Sequence, residues 1–349
     1  MDIGIQIEPQ FGYTYDDVAA IARACEEQGL TRIWLSDHLF LDADAVATNC
    51  LEAWTLLAAL ARDTTRIRLG LMVGCQSYRN PALLAKIAAG VDRMSGGRLE
   101  FGIGAGWKEL EYRAYGYEFP EPKVRVDELV DTLEICTRMW TQDRATYTGK
   151  RYRIADALCS PKPLQAPLPI WIGGSKPRIM RTAARYATWF NFNLAGGRMT
   201  PEAIREQVRA LDEACAARKR DPLTLRRSAF IGVFVGSDAK EVDALVAEAA
   251  TKAGLTPAEW RAARPGAVVG TPDEVAAGLR EYADAGIAHV NALFPYGSEL
   301  AMVELIGREV LPALNQGLGA RPAGAPVVDG CDGPSRAGTP RRSRQGAAR

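Results

Sequence analysis

The feature that most constrains this chain is an alternation: between residues 3 and 314, short apolar runs take turns with amphipathic stretches of helical period. Ile3, Ile5 and Ile7 open a strand that ends at Glu8-Pro9, and Tyr15 to Gln28 reads as a helix stopped by Gly29. The unit returns at 32–38 with helix 51–62, at 67–73 with helix 81–94, and at 98–104 with helix 124–140. It continues at 169–172 with helix 177–186, at 188–192 with helix 201–218, and at 227–235 with helices 238–251 and 272–285. Strand 289–294 and a last helix over 298–314 complete it. Such alternation implies parallel strands joined by helical crossovers. Eight units predict a closed (β/α)8 TIM barrel of the α/β class as one domain over residues 1–315. An open doubly wound sheet competes, but no G-x-G-x-x-G opens a helix: Gly102, Gly104 and Gly106 run into Trp107 instead. The Pro-rich stretch 141–168 interrupts the pattern and predicts an insertion, a loop or small hairpin. Residues 316–349 turn to Gly, Ala, Pro, Ser and Arg, which predicts a disordered basic tail.

Bulk properties narrow the function classes. Net charge is +1, so no charge excess points to nucleic acid or a membrane surface. The basic character sits in the tail, where residues 320–349 carry six Arg against two Asp. Seven scattered Cys without a C-x-x-C pair, and only two His, show no metal-ligand spacing. No metal is expected, and the thiols are expected to be reduced. The first residues lack a signal-peptide pattern and no apolar run reaches the length of a membrane span, so the expectation is a cytoplasmic protein acting on a small molecule.

In a parallel barrel, function gathers where strands end and the following loops begin. Those ends carry Glu8, Asp37-His38, Val73-Gly74-Cys75, Gly104-Ala105-Gly106, Gly173-Gly174-Ser175, Asn191 to Asn193, and Asn291. His38, beside a carboxylate and with an ordinary pKa near neutrality, is the candidate for proton transfer; a structural histidine that bonds its own loop is the other reading. Asp37 is read as orienting His38 or holding a ligand ring. Gly173-Gly174-Ser175 before a helix is either a phosphate cradle, helped by Lys176, Arg178 or Arg181, or a tight turn; Arg79 shares that ambiguity. Cys75 has no His near it in sequence and reads as an inert packed thiol. Trp107, Tyr112, Tyr115 and Tyr117 form a wall for a planar ligand or pack a loop onto the barrel. His289, inside the last strand, reads as a satisfied core residue.

Several motifs follow one another along the chain: Ser36-Asp-His38, Tyr78-Arg-Asn-Pro-Ala-Leu-Leu-Ala-Lys86, Asp92-Arg-Met-Ser-Gly-Gly-Arg98, Gly102-Ile-Gly-Ala-Gly-Trp107, Glu111-Tyr112, Ser160-Pro-Lys-Pro-Leu-Gln165, and Pro169-Ile-Trp-Ile-Gly-Gly-Ser175. In this order they resemble the bacterial luciferase-like superfamily of flavin- and deazaflavin-dependent oxidoreductases, over nearly all of residues 1–315. Within it the chain is most similar to the branch that uses coenzyme F420, a deazaflavin with a phosphate and an acidic glutamyl tail. The resemblance implies a ring lying across the barrel mouth against a bulge with a non-prolyl cis peptide, by position Met72–Val73, followed by Gly74. It further implies that Asp37 and His38 contact the ring, Ala105 and Gly106 the ribityl chain, and Gly173, Gly174 and Ser175 the phosphate. It makes a homodimer the expected assembly. Some sugar-phosphate dehydrogenases of the family carry a Glu acid where this chain has Trp107, so the resemblance supplies no substrate.

The expectation is therefore an F420-dependent oxidoreductase that moves a hydride to or from a small organic substrate, with His38 assisting proton transfer. An FMN-dependent monooxygenase of the same fold and a non-catalytic cofactor-binding protein are the alternatives. F420 needs a basic channel beyond its phosphate, whereas FMN ends there; Lys176, Arg178, Arg181 and Arg79 are the residues available to build one.

Overall fold

The computed structural model describes residues 1–193 and 199–315. Its twelve strands are β1 Asp2–Ile7, β2 Arg32–Leu35, β3 Arg68–Leu71, β4 Gly74–Cys75, β5 Leu99–Gly104, β6 Ala145–Thr148, β7 Arg153–Ala157, β8 Ile170–Gly173, β9 Trp189–Asn193, β10 Arg226–Val235, β11 Val268–Gly270 and β12 His289–Leu293. Eight of them close a parallel barrel in the order β1-β2-β3-β5-β8-β9-β10-β12, with β12 returning to β1. Ile5 stands between Ile33 on one neighbour and Ala292 on the other. Strands buried on both faces, by the barrel interior and by the helices outside, read as apolar runs rather than alternating ones, and all six residues of β5 are buried.

Helix starts follow local chemistry. Thr14 and Asp17 form a capping box before Tyr15–Gln28, and the Asn80 side chain accepts the amides of Ala82 and Leu83 before Pro81–Met94. The expected 141–168 insertion contains the antiparallel hairpin β6–β7. A buried carboxylate fastens each half of it: Asp131 accepts the amides of Arg151 at 2.6 Å and Tyr152 at 3.0 Å, and Asp92 accepts that of Leu164 at 2.6 Å.

Four features depart from the sequence expectation. The third strand does not run on to residue 73; it stops at Leu71 and resumes as β4 against β5, and between them lies the cis Met72–Val73 peptide that the family resemblance implied. The segment after Trp107, expected to be irregular, contains the helix Glu109–Ala114. Beyond the helix Ala239–Lys252 lie a further helix, Pro257–Ala263, and β11, which pairs with the outer end of β10. Three residues are too few for periodicity to reveal a strand. The last helix is broken by a π turn over Ile306–Val310, where a Cβ on Gly307 would come within 2.5 Å of Gln28 Cβ. The tail expected over 316–349 lies outside the described residues. No helix among the described residues is long and apolar enough to cross a membrane.

Candidate active site

The C-terminal ends of the strands surround a cavity of about 570 Å³. Asp37, His38, Met72, Val73, Gly74, Ala105, Gly106, Gly173, Gly174 and Ser175 all line it, together with Trp107, Lys176 and Asn191. Ten positions spread over 139 residues of sequence thus meet at one opening, because every barrel strand delivers its end to the same rim.

Much of the wall is backbone. A Cβ at Gly102 would lie 1.8 Å from the Leu71 carbonyl oxygen, and one at Gly104 would lie 2.6 Å from a Val73 methyl. These glycines let β5 accept the neighbouring bulge, which then faces the cavity. Gly106 has φ +76, and a Cβ there would meet the Tyr112 hydroxyl at 1.9 Å. On the opposite side, Gly173 to Ser175 lead into the helix Pro177–Tyr186, whose N-terminus has no side-chain cap. Pro177 has no N–H, so the amides of Arg178 and Ile179 are the unclaimed donors of that first turn.

His38 is held by a residue far away in sequence. Its Nδ1 lies 3.1 Å from both Oε1 and Oε2 of Glu111, on the helix that follows Trp107. The same carboxylate accepts the Leu39 amide at 2.8 Å and the Tyr78 hydroxyl at 2.8 Å, and Lys108 Nζ stands 3.3 Å away. Burial alone would raise the Glu111 pKa, but the bonds from His38, Leu39 and Tyr78 outweigh it and bring the pKa down to about 2. With an ionised carboxylate facing it, Nδ1 carries the ring proton, and Nε2 is the nitrogen left for chemistry. Trp107, 71% exposed, stands edge-on to the imidazole with centroids 5.7 Å apart.

Asp37 does not orient His38. Arg79 grips its carboxylate with two bonds, of 2.7 and 2.9 Å, and the Cys75 amide donates to it at 2.8 Å. Both residues lie past the end of β2 and line the cavity, but their side chains are held by different partners, Asp37 by Arg79 and His38 by Glu111. Asp37 therefore fastens the strand after the bulge. Arg79 also bonds Glu52, and Arg178 donates to Asp127 at 2.5 Å, so both are committed to carboxylates. Of the four basic residues considered for an acidic tail, Lys176 and Arg181 are the exposed pair without a carboxylate partner among the described residues. Cys75 is packed against the Tyr112 hydroxyl at 3.1 Å, and burial above all pushes its thiol up to about 11. The aromatic group divides: Trp107 faces the cavity, while Tyr112 and Tyr117 pack against Tyr78.

Glu111, Tyr78 and Lys108 carry the site's electrostatics, yet none is a candidate from sequence reasoning. Glu111 appears there only inside a motif, 73 residues from His38 and in a segment without periodicity. A bond of that span is visible only after the barrel closes.

A family model described as luciferase-like monooxygenase matches residues 3–289. Among curated relatives, the F420-dependent glucose-6-phosphate dehydrogenase of Microbacterium testaceum is 30% identical over 315 residues, covering 83% of this chain and 91% of the relative. The enzyme of the same name from Amycolatopsis mediterranei is 27% identical over 326 residues, covering 85% and 94%. A solved F420-dependent secondary alcohol dehydrogenase, in complex with an F420-acetone adduct, superposes with a TM-score of 0.75 at 21% identity, covering 90% of this chain and 98% of that one; it shows the shared fold.

Proposed function

The chain belongs to the luciferase-like monooxygenase family, and from that premise we propose that it is an oxidoreductase that uses coenzyme F420 to transfer a hydride to or from a small organic substrate. The observation that carries this reading is the cavity itself: a rim of bare backbone on two sides, an uncapped helix N-terminus on a third, and a carboxylate-held histidine beside them. Curated relatives that cover most of the chain bear F420 in their names, which favours the deazaflavin over FMN.

The residues present fit such a group. The Met72–Gly74 bulge and Ala105–Gly106 offer flat, side-chain-poor surfaces for a ring and its ribityl chain. The Arg178 and Ile179 amides and the Ser175 hydroxyl suit a phosphate, where anions are favoured by the helix dipole. Lys176 and Arg181 are the cations for an acidic tail. When bound, F420 supplies a carbon that gives or accepts hydride. His38 Nε2 then exchanges the accompanying proton with the substrate oxygen, and Glu111 keeps the imidazole in the tautomer that can do so. Trp107 leaves no carboxylic acid at its position, so His38 is the proton-transfer residue of the site. The proposal includes a homodimer in the cytoplasm, which light scattering and cell fractionation test.

Titration of the purified protein with F420 and with FMN under matched conditions, followed by fluorescence, decides the cofactor. F420 is expected to bind in the micromolar range or tighter; FMN binding without F420 binding would remove the assignment in favour of a flavin monooxygenase. Ser175→Asp places a negative charge in the phosphate seat and should weaken F420 binding at least about tenfold, and unchanged affinity would show the Gly-Gly-Ser loop to be only a turn.

A further inference from the structure

A second cavity of about 320 Å³ lies beside the first, at the low end of the roughly 300–1,000 Å³ typical of small-ligand sites. Its floor is one face of β10, where Phe230, Gly232 and Phe234 alternate along the strand. The helices Ala239–Lys252 and Pro257–Ala263 cover it with Leu245 and Trp260; the Trp260 ring stands edge-on to Phe234 with centroids 4.8 Å apart. Phe230 and Leu293 line both cavities, so the two spaces share a wall of two apolar side chains. The walls are aromatic and aliphatic. Two cations reach the edge and both are engaged: Lys252 pairs with Glu248 at 2.7 Å, and the Arg264 guanidinium lies on the Trp260 face, 4.9 Å from its centroid.

We propose that this second cavity seats the apolar arm of the substrate, so that the enzyme acts on a hydrophobic carbonyl compound or its alcohol rather than on a phosphorylated sugar. The inference rests on the F420 reading for its chemistry and on the cavity for its specificity. The larger cavity beside His38 takes the reacting carbon and oxygen, and the alkyl or aryl remainder passes Phe230 and Leu293 into the smaller one. A phosphate there would meet aromatic faces and the Glu248 carboxylate, which already holds Lys252, whereas each buried methylene gains hydrophobic free energy.

Calorimetric titration of the F420-bound protein with straight-chain 2-alkanones from four to ten carbons tests this. Affinity should rise about three- to fourfold per methylene until the cavity is filled, then level off. Gly232→Leu should halt that rise several carbons earlier while F420 affinity stays unchanged; a Cβ at residue 232 meets Phe234 Cε2 only at 3.5 Å, so the new side chain enters the cavity without a backbone clash. Phe234→Ala should extend the rise to longer chains, which keeps the test open if the first variant folds poorly. A flat series, superimposable series for parent and both variants, or tighter binding of glucose 6-phosphate than of every alkanone would overturn the apolar seat. Failure of F420 to bind would instead remove the cofactor reading, and the same series run on cofactor-free protein would still report on the cavity.

Discussion

Two histidines stand at opposite ends of one barrel, in opposite electrostatic settings. His289 is the first residue of β12, in register with Asp2 and Ser228 at the N-terminal end of the barrel. It is fully buried, accepts the Trp34 indole N–H at 3.2 Å, and is held neutral, its pKa driven well below 6.5 by burial and then by Arg32 and Arg226. Around it the end is sealed: Glu100 takes Arg32 at 3.2 Å and the Trp171 indole at 2.6 Å, and the Trp171 and Trp189 rings stack 4.3 Å apart. His38 sits past the end of β2, partly exposed, with a carboxylate in place of arginines. Residue type is the same; the sign of the neighbour and access to the cavity differ, which seals one ring inside the barrel and leaves the other open to the proposed proton transfer.

If the two ends are independent, Glu100→Gln should give the largest change in stability. Removing the carboxylate takes from the buried Arg32 its nearer counter-charge, leaving Asp2 at 3.5 Å, and takes the partner of Arg68 as well, at a cost of about 3 kcal/mol read by urea denaturation. F420 affinity should stay within about twofold of the parent; a collapse of affinity at intact stability would break the separation. At the other end, His38→Ala should lower kcat at least about 100-fold while the unfolding midpoint falls less than in Glu100→Gln, because Leu39, Tyr78 and Lys108 still hold Glu111. Unchanged turnover with F420 bound would favour a different proton donor, and no turnover in parent and variant alike would favour a cofactor-holding protein.

Glu111→Gln sharpens the contrast at lower amplitude, with kcat expected to fall about tenfold as the imidazole loses the charge that fixes its tautomer. Because the folded Glu111 pKa is about 2 against the usual 4.5, its stabilisation is complete above about pH 4.5 and fades as pH falls toward 2. The difference in urea midpoint between parent and variant should therefore shrink between pH 5 and pH 3. The smallest effect belongs to His289→Gln, which keeps an acceptor for Trp34. The parent should lose stability as pH falls below about 6.5, since the unfolded chain takes up a proton that the buried ring refuses. The variant should lack that part of the slope, and identical slopes would mean that His289 does not resist protonation.

The local rules that forecast the barrel work over a few residues: apolar runs, helical period, caps and glycines. They reach far enough to bring the strand ends to one rim, which is why all ten site residues named from the sequence line a single cavity. They do not reach the partner of a charge. Asp37, adjacent to His38, looks like its natural companion, and Arg79 and Arg178 look free for a ligand; each is engaged with a residue 27 to 51 positions away.

What the sequence by itself determined was the fold class and the place where function gathers, because both follow from periodicity and from the parallel direction of the strands. Glycines 102 to 106 announced a close backbone approach, but the body that approaches Gly102 and Gly104 is the bulge of the adjacent strand, and only pairing of β3 with β5 brings it there. Tertiary structure alone decided that Glu111 meets His38, that His289 meets Arg32, and that a second apolar cavity shares its wall with the first. Those outcomes depend on side chains distant in sequence meeting in a low-dielectric interior, where the identity of the neighbour sets charge state and access.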